Sequence, residues 1–95
     1  ELWSADRALA AGLVGEVVAD EQLLTHTLEL ATRLANGPTF AFAQTKTLIR
    51  EGAGRSLPEQ LQAELAAGLL CGRSADGAEA LRASMEKRPP NFSGK

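Results

Sequence analysis

Cysteine, histidine, methionine and tryptophan occur once each in this chain of 95 residues, and that scarcity removes whole classes of chemistry. One cysteine cannot form an internal disulfide. It fits a reducing compartment, so the cytoplasm is the expected location. One histidine, His26, stands among Thr25, Thr27 and Glu29 with no Cys, His or Asp at ligand spacing, so a metal centre is not expected. No apolar run reaches the roughly 18 residues of a membrane-spanning helix, and the amino end lacks a basic stretch followed by an apolar one. Positive charge is not in excess either. Ten Lys and Arg against twelve Asp and Glu give a net charge of -2, the wrong balance for a nucleic-acid footprint. Membranes and nucleic acid are therefore set aside as partners. The length allows at most one small domain, too little for a complete enzyme, and the start at Glu1 rather than Met fits a processed, cloned or partial product.

What is present reads as helices. Ser4 or Asp6 can cap a short helix through about Ala11, which Gly12 ends in a left-handed conformation. Val14, Val17 and Val18 around Gly15 predict a short strand over Val14–Val18, and a strand needs a neighbour for its backbone groups. No second strand follows, which points to a sheet upstream. After Asp20, Leu24, Leu28, Ala31 and Ala35 form one helical stripe that Leu23, Leu30 and Leu34 widen into a buried face. Asn36-Gly37-Pro38 ends that helix and opens another, which Ala41, Thr45 and Leu48, flanked by Phe42 and Ile49, carry to Gly52-Ala53-Gly54. Ser56-Leu57-Pro58-Glu59 is a capping box at the head of a helix with Leu57, Leu61, Leu65 and Leu69 facing inward, and Gly68 is expected to mark close helix packing. Gly72 ends it.

The last helix is expected to start near Gly77, with Asp76 as cap and Glu79 reaching back to it. Ala78, Leu81 and Met85 share one face, and Lys87 and Arg88 lie where the helix dipole favours cations. Pro89 and Pro90 stop the helix, and Phe92 anchors the tail. The fold class is thus mainly α, about five helices plus one short strand. No catalytic set emerges: Cys71 has no base beside it and reads as an inert thiol, and Glu16 with Asp20, or Asp76 with Glu79, serve as caps and wet surface.

The run Gly12-Leu13-Val14-Gly15-Glu16-Val17-Val18, read with Asp76-Gly77-Ala78-Glu79-Ala80-Leu81-Arg82-Ala83-Ser84-Met85-Glu86-Lys87-Arg88-Pro89-Pro90-Asn91-Phe92, resembles the carboxy-terminal part of the enoyl-CoA hydratase/isomerase (crotonase) family. Two positions depart from the family pattern: Ala80 stands where Gly is usual and Ser84 where Phe is usual. The resemblance implies that residues 1–18 end an upstream α/β spiral core and that residues 19–95 form a helical carboxy-terminal trimerisation or lid domain. It implies an acyl-CoA hydratase or isomerase of fatty-acid or aromatic-acid breakdown, with hydratase favoured as the commoner label. The oxyanion-holding amides and the hydratase glutamates would be upstream, so no catalytic residue is assigned in this segment. Coenzyme A enters as part of the thioester substrate rather than as a separate cofactor. Lys87 is the candidate coenzyme A contact, through phosphate or adenine, and a helix-end cation is its plain alternative; without the expected Phe at Ser84, stacking on adenine is lost. Lys46 also matches a family lysine but is better explained by solvent or an ion pair, and Arg88 is expected to fix the tail. The implied partners are acyl-CoA and further copies of the chain, as a trimer or a dimer of trimers. The rival reading is a catalytically inert helical interaction module; a helix-turn-helix regulator built on Asn36-Gly37-Pro38 is disfavoured by the acidic balance.

Overall fold

Three of the helices begin where a side chain satisfies free amides of the first turn. In the computed structural model, which describes residues 2–95, α1 spans Ala5–Ala10, and the Ser4 hydroxyl accepts from the Arg7 amide at 3.2 Å. Gly12 closes it at φ 72, while Leu13 N donates back to Ala8 O at 2.9 Å. This is the left-handed exit expected of glycine. A 3-10 turn, Asp20–Gln22, leads into α2, Leu23–Ala35. α3 spans Thr39–Gly52, α4 Leu57–Arg73 and α5 Ala75–Glu86.

The chain divides into two compact units, residues 1–31 and 32–95. In the first, the Arg7 guanidinium lies 4.4 Å from the Trp3 ring centroid, a cation–π contact that holds the start of α1. The predicted strand at Val14–Val18 does not form: those residues have irregular backbone, and no strand occurs among the described residues. A strand exists through its ladder partner, and none of the described residues supplies one.

In the second unit, α3 packs on α4 and α4 on α5. The capping box opens α4 as expected: Ser56 N and Oγ donate to the Glu59 carboxylate at 2.7 and 2.6 Å, which lowers the Glu59 pKa. The helix runs one residue past Gly72, to Arg73, and Ser74 alone separates it from α5. Gly68 does not mark close packing, since nothing would meet a Cβ there within 4 Å. The close approach is at Gly77, where a Cβ would lie 2.2 Å from Cys71 O and 3.0 Å from Gly72 O. A turn of one residue brings the two helix ends this near.

The expected apolar faces are present but uncovered. Ala67 and Ala83 are the buried apolar residues among those described. Leu24 and Leu28 on α2, and Leu57, Leu61, Leu65 and Leu69 on α4, all stand open to solvent. The inward positions predicted for these leucines are therefore corrected. The periodicity marked a face meant to be covered, and nothing among the described residues covers it.

Candidate functional site

Ser74 sits between two helices and serves both. Its hydroxyl donates to Cys71 O at 2.7 Å and accepts from Gly77 N at 2.9 Å, so it is the cap of α5, two residues ahead of the position assigned to Asp76. The capping pair predicted from Asp76 and Glu79 is overturned by this competition. Ser74 already occupies the Ncap, which places Asp76 inside the first turn with its carboxylate free to turn elsewhere.

Both carboxylates turn to the tail. Asp76, 4% exposed, accepts from Ser93 N at 2.6 Å, Ser93 Oγ at 3.2 Å and Gly94 N at 2.9 Å. Its own amide donates to Lys95 O at 2.9 Å. Three residues along, Glu79 accepts from Arg88 Nη1 and Nη2 at 2.7 and 3.1 Å and from Asn91 N at 2.9 Å. These donors favour the ionised form, and the Glu79 pKa falls to about 2, with Arg88 the largest cause and Asn91 the next. Phe92 is half-buried and, with Pro38, Ala41, Cys71 and Ala80, lines a recess of about 220 Å³. The two carboxylates and this ring hold the tail against α5. Arg88 fixes the tail as expected.

Lys87 lies at the corner where helix gives way to tail. It has φ 53 and ψ 41, and its amide returns to Ala83 O and Ser84 O, while Arg88 N donates to Ala83 O at 3.0 Å. This is a Schellman-type exit, in which glycine is the usual occupant. Lys87 is the only non-glycine described residue at positive φ, a conformation that costs an L-residue about 1–2 kcal/mol. The side chain is exposed and has no ion pair among the described residues. The Arg88 guanidinium next to it engages two carboxylates of α5, with Nε donating to Glu86 Oε2 at 2.5 Å and Nη1 and Nη2 donating to Glu79. Ser84, one turn earlier, is exposed beside it. Lys46 is exposed on α3 without an ion pair among the described residues.

His26 has a partner that local inspection missed: its Nε2 is hydrogen-bonded to Glu16 Oε2. The pair borders an open groove of about 420 Å³ lined mainly by apolar groups, among them Ala5, Ala8, Val14, Val17, Leu23 and Leu30. Ten residues separate the two side chains, and the irregular 14–19 segment carries Glu16 back to α2. No group of three His, Cys, Asp or Glu side chains converges among the described residues, and no helix among them is long and apolar enough to cross a membrane.

The family model described as enoyl-CoA hydratase/isomerase matches residues 1–95. A Rhodobacter capsulatus protein named "Probable enoyl-CoA hydratase" is 40% identical over 95 residues, all of this chain and 37% of that protein. The 1,2-epoxyphenylacetyl-CoA isomerase of Escherichia coli K12 is 39% identical over 97% of this chain and 35% of its own. Among solved structures, an enoyl-CoA hydratase of Geobacillus kaustophilus superposes with a TM-score of 0.93 at 35% identity, over 100% of this chain and 36% of that one. The chain spans just over a third of the length of these relatives.

Proposed function

The chain belongs to the enoyl-CoA hydratase/isomerase family, and we propose that it is the carboxy-terminal helical part of an acyl-CoA hydratase or isomerase, a cytoplasmic enzyme of fatty-acid or aromatic-acid breakdown. Hydration is the favoured reaction. The thioester carbonyl would be held by two backbone amides and water moved by two glutamates, all outside this segment, through oxyanion stabilisation. The segment's part is to cover the core, to join copies of the chain into a homo-oligomer, and to touch the coenzyme A end of the substrate through Lys87.

The observation that carries this reading is the left-handed lysine corner. A lysine sits where glycine is cheaper, its ammonium has no ion pair among the described residues, and two carboxylates clamp the tail that leaves it. An ammonium is a compact point charge suited to a phosphate. The uncovered leucine faces of α2 and α4 support the covering and assembly roles.

The test is turnover. The purified 95-residue chain is expected to show none with a short enoyl-CoA, above a heat-treated control, whereas the enzyme carrying its upstream part hydrates or isomerises it. Measurable turnover by the segment alone would overturn the reading.

A further inference from the structure

Two carboxylates of α5 are candidate partners for the Lys87 ammonium. Glu86 is its chain neighbour at the last position of α5, and Glu79 is two turns earlier on the side to which the tail returns. Neither takes it. The Arg88 guanidinium reaches both at once, donating from Nε to Glu86 at 2.5 Å and from Nη1 and Nη2 to Glu79 at 2.7 and 3.1 Å. A planar fork of five donors can span two carboxylates, and an ammonium cannot do so in a fixed geometry. The two acids are not equally dependent on it. Glu79 keeps the Asn91 amide, and Arg82 Nη1 stands 3.6 Å away. Glu86 is half-exposed and has no other ion pair among the described residues.

We infer that Arg88 is a positioning residue that sequesters Glu86 and Glu79 and so leaves Lys87 open to an anionic ligand. The inference rests on the reading of Lys87 as the coenzyme A contact. If Arg88 were absent, Glu86, the chain neighbour of Lys87, would have no ion pair among the described residues and would be free to meet the ammonium. A phosphate would then have to displace it, and affinity would fall although Arg88 itself touches no ligand.

The experiment uses the full enzyme, with dissociation constants for coenzyme A and steady-state kinetics on an acyl-CoA and on a pantetheine thioester lacking the nucleotide. Arg88→Gln is expected to raise Kd and KM about fivefold for the nucleotide-bearing ligands, with kcat unchanged and the pantetheine thioester unaffected. Adding Glu86→Gln should restore most of the affinity, because the competing anion is gone. In a Lys87→Ala background Arg88→Gln should cause no further loss. A double variant as weak as Arg88→Gln alone would overturn the inference and leave Arg88 as a tail anchor only, or make it a ligand contact. Should Arg88→Gln fail to fold, Arg88→Lys, which holds one carboxylate at a time, is expected to show a smaller loss that Glu86→Gln again recovers; failure to recover has the same force. A loss in Lys87→Ala without one in Arg88→Gln would refute the sequestration alone. No loss in Lys87→Ala would refute the coenzyme A reading and the inference with it.

Discussion

Replacing Lys87 by glycine separates stability from binding at one position. The residue stands at φ 53 and ψ 41, where an L-side chain costs about 1–2 kcal/mol and glycine does not. Glycine gives back about 0.4–1 kcal/mol through its greater freedom in the unfolded chain. The difference leaves Lys87→Gly more stable by up to about 1.5 kcal/mol. Lys87→Ala keeps the Cβ and its conformational cost, so it should bring no such gain. Binding runs the other way. Loss of one charge-assisted contact to phosphate costs about 1.5–3 kcal/mol, about ten- to hundredfold in affinity, and both variants should show it. A contact remote from the thioester is the same in ground and transition states, so KM rises while kcat holds. Thermal unfolding of the full enzyme measures the first effect. Kinetics with acyl-CoA and with a pantetheine thioester measure the second, and salt should weaken the contact if the corner is open. An equal loss with both substrates would refute the ligand role. A Lys87→Gly variant less stable than Lys87→Ala would refute the left-handed corner.

The glycines of α4 and α5 should diverge. Gly77→Ala drives a Cβ to 2.2 Å from Cys71 O and should destabilise by about 2–3 kcal/mol, whereas Gly68→Ala, with open space around it, should stabilise by about 1 kcal/mol; equal melting temperatures would contradict the packing at the α4–α5 turn. The clamp at Glu79 should be acid-resistant. Its folded pKa of about 2 lies below the ordinary 4.5, so its contribution is present above about pH 4.5 and is lost as pH falls towards 2. Carboxyl titration and Asn91 amide exchange by NMR should show this, and protection of Asn91 lost already at pH 5 would count against it. Self-association is expected of the isolated chain through the exposed α4 leucines, with Leu61→Asp and Leu65→Asp reducing it. Sedimentation showing a folded monomer over a wide concentration range would sink that expectation.

The parts of this architecture legible in the sequence are those settled within about four residues. Ser4 accepts from Arg7, Ser56 meets Glu59, and Gly12 leaves α1 at φ 72; each needs only neighbours and a backbone preference. Asp76 was misread because the same short-range rule has two solutions here. Ser74 and Asp76 are both able caps, and the choice depends on α4 running to Arg73 and leaving one residue for the turn. The freed carboxylate then finds Ser93 seventeen residues on, a distance over which periodicity carries no information. Glu79 with Arg88 and Asn91, and Glu16 with His26, fail to be legible for the same reason. One signal was available: Pro89 and Pro90 stop the helix and deny two amides to any ladder, so the tail had to find acceptors for the amides that follow.

The leucine stripes show a different gap. A period of 3.6 states that a face is apolar, and Leu57, Leu61, Leu65 and Leu69 lie on one such face of α4. It does not state what covers the face. Leu57 is 71% exposed and Leu65 66%, although a leucine fully withdrawn from water contributes about 1.5–3 kcal/mol. With half or more of each of the four still exposed, the face keeps a driving force of a few kcal/mol, a sizeable share of a small domain's stability, unused within the second unit. That magnitude supports the proposal that another surface, from upstream chain or a second copy, completes this helix.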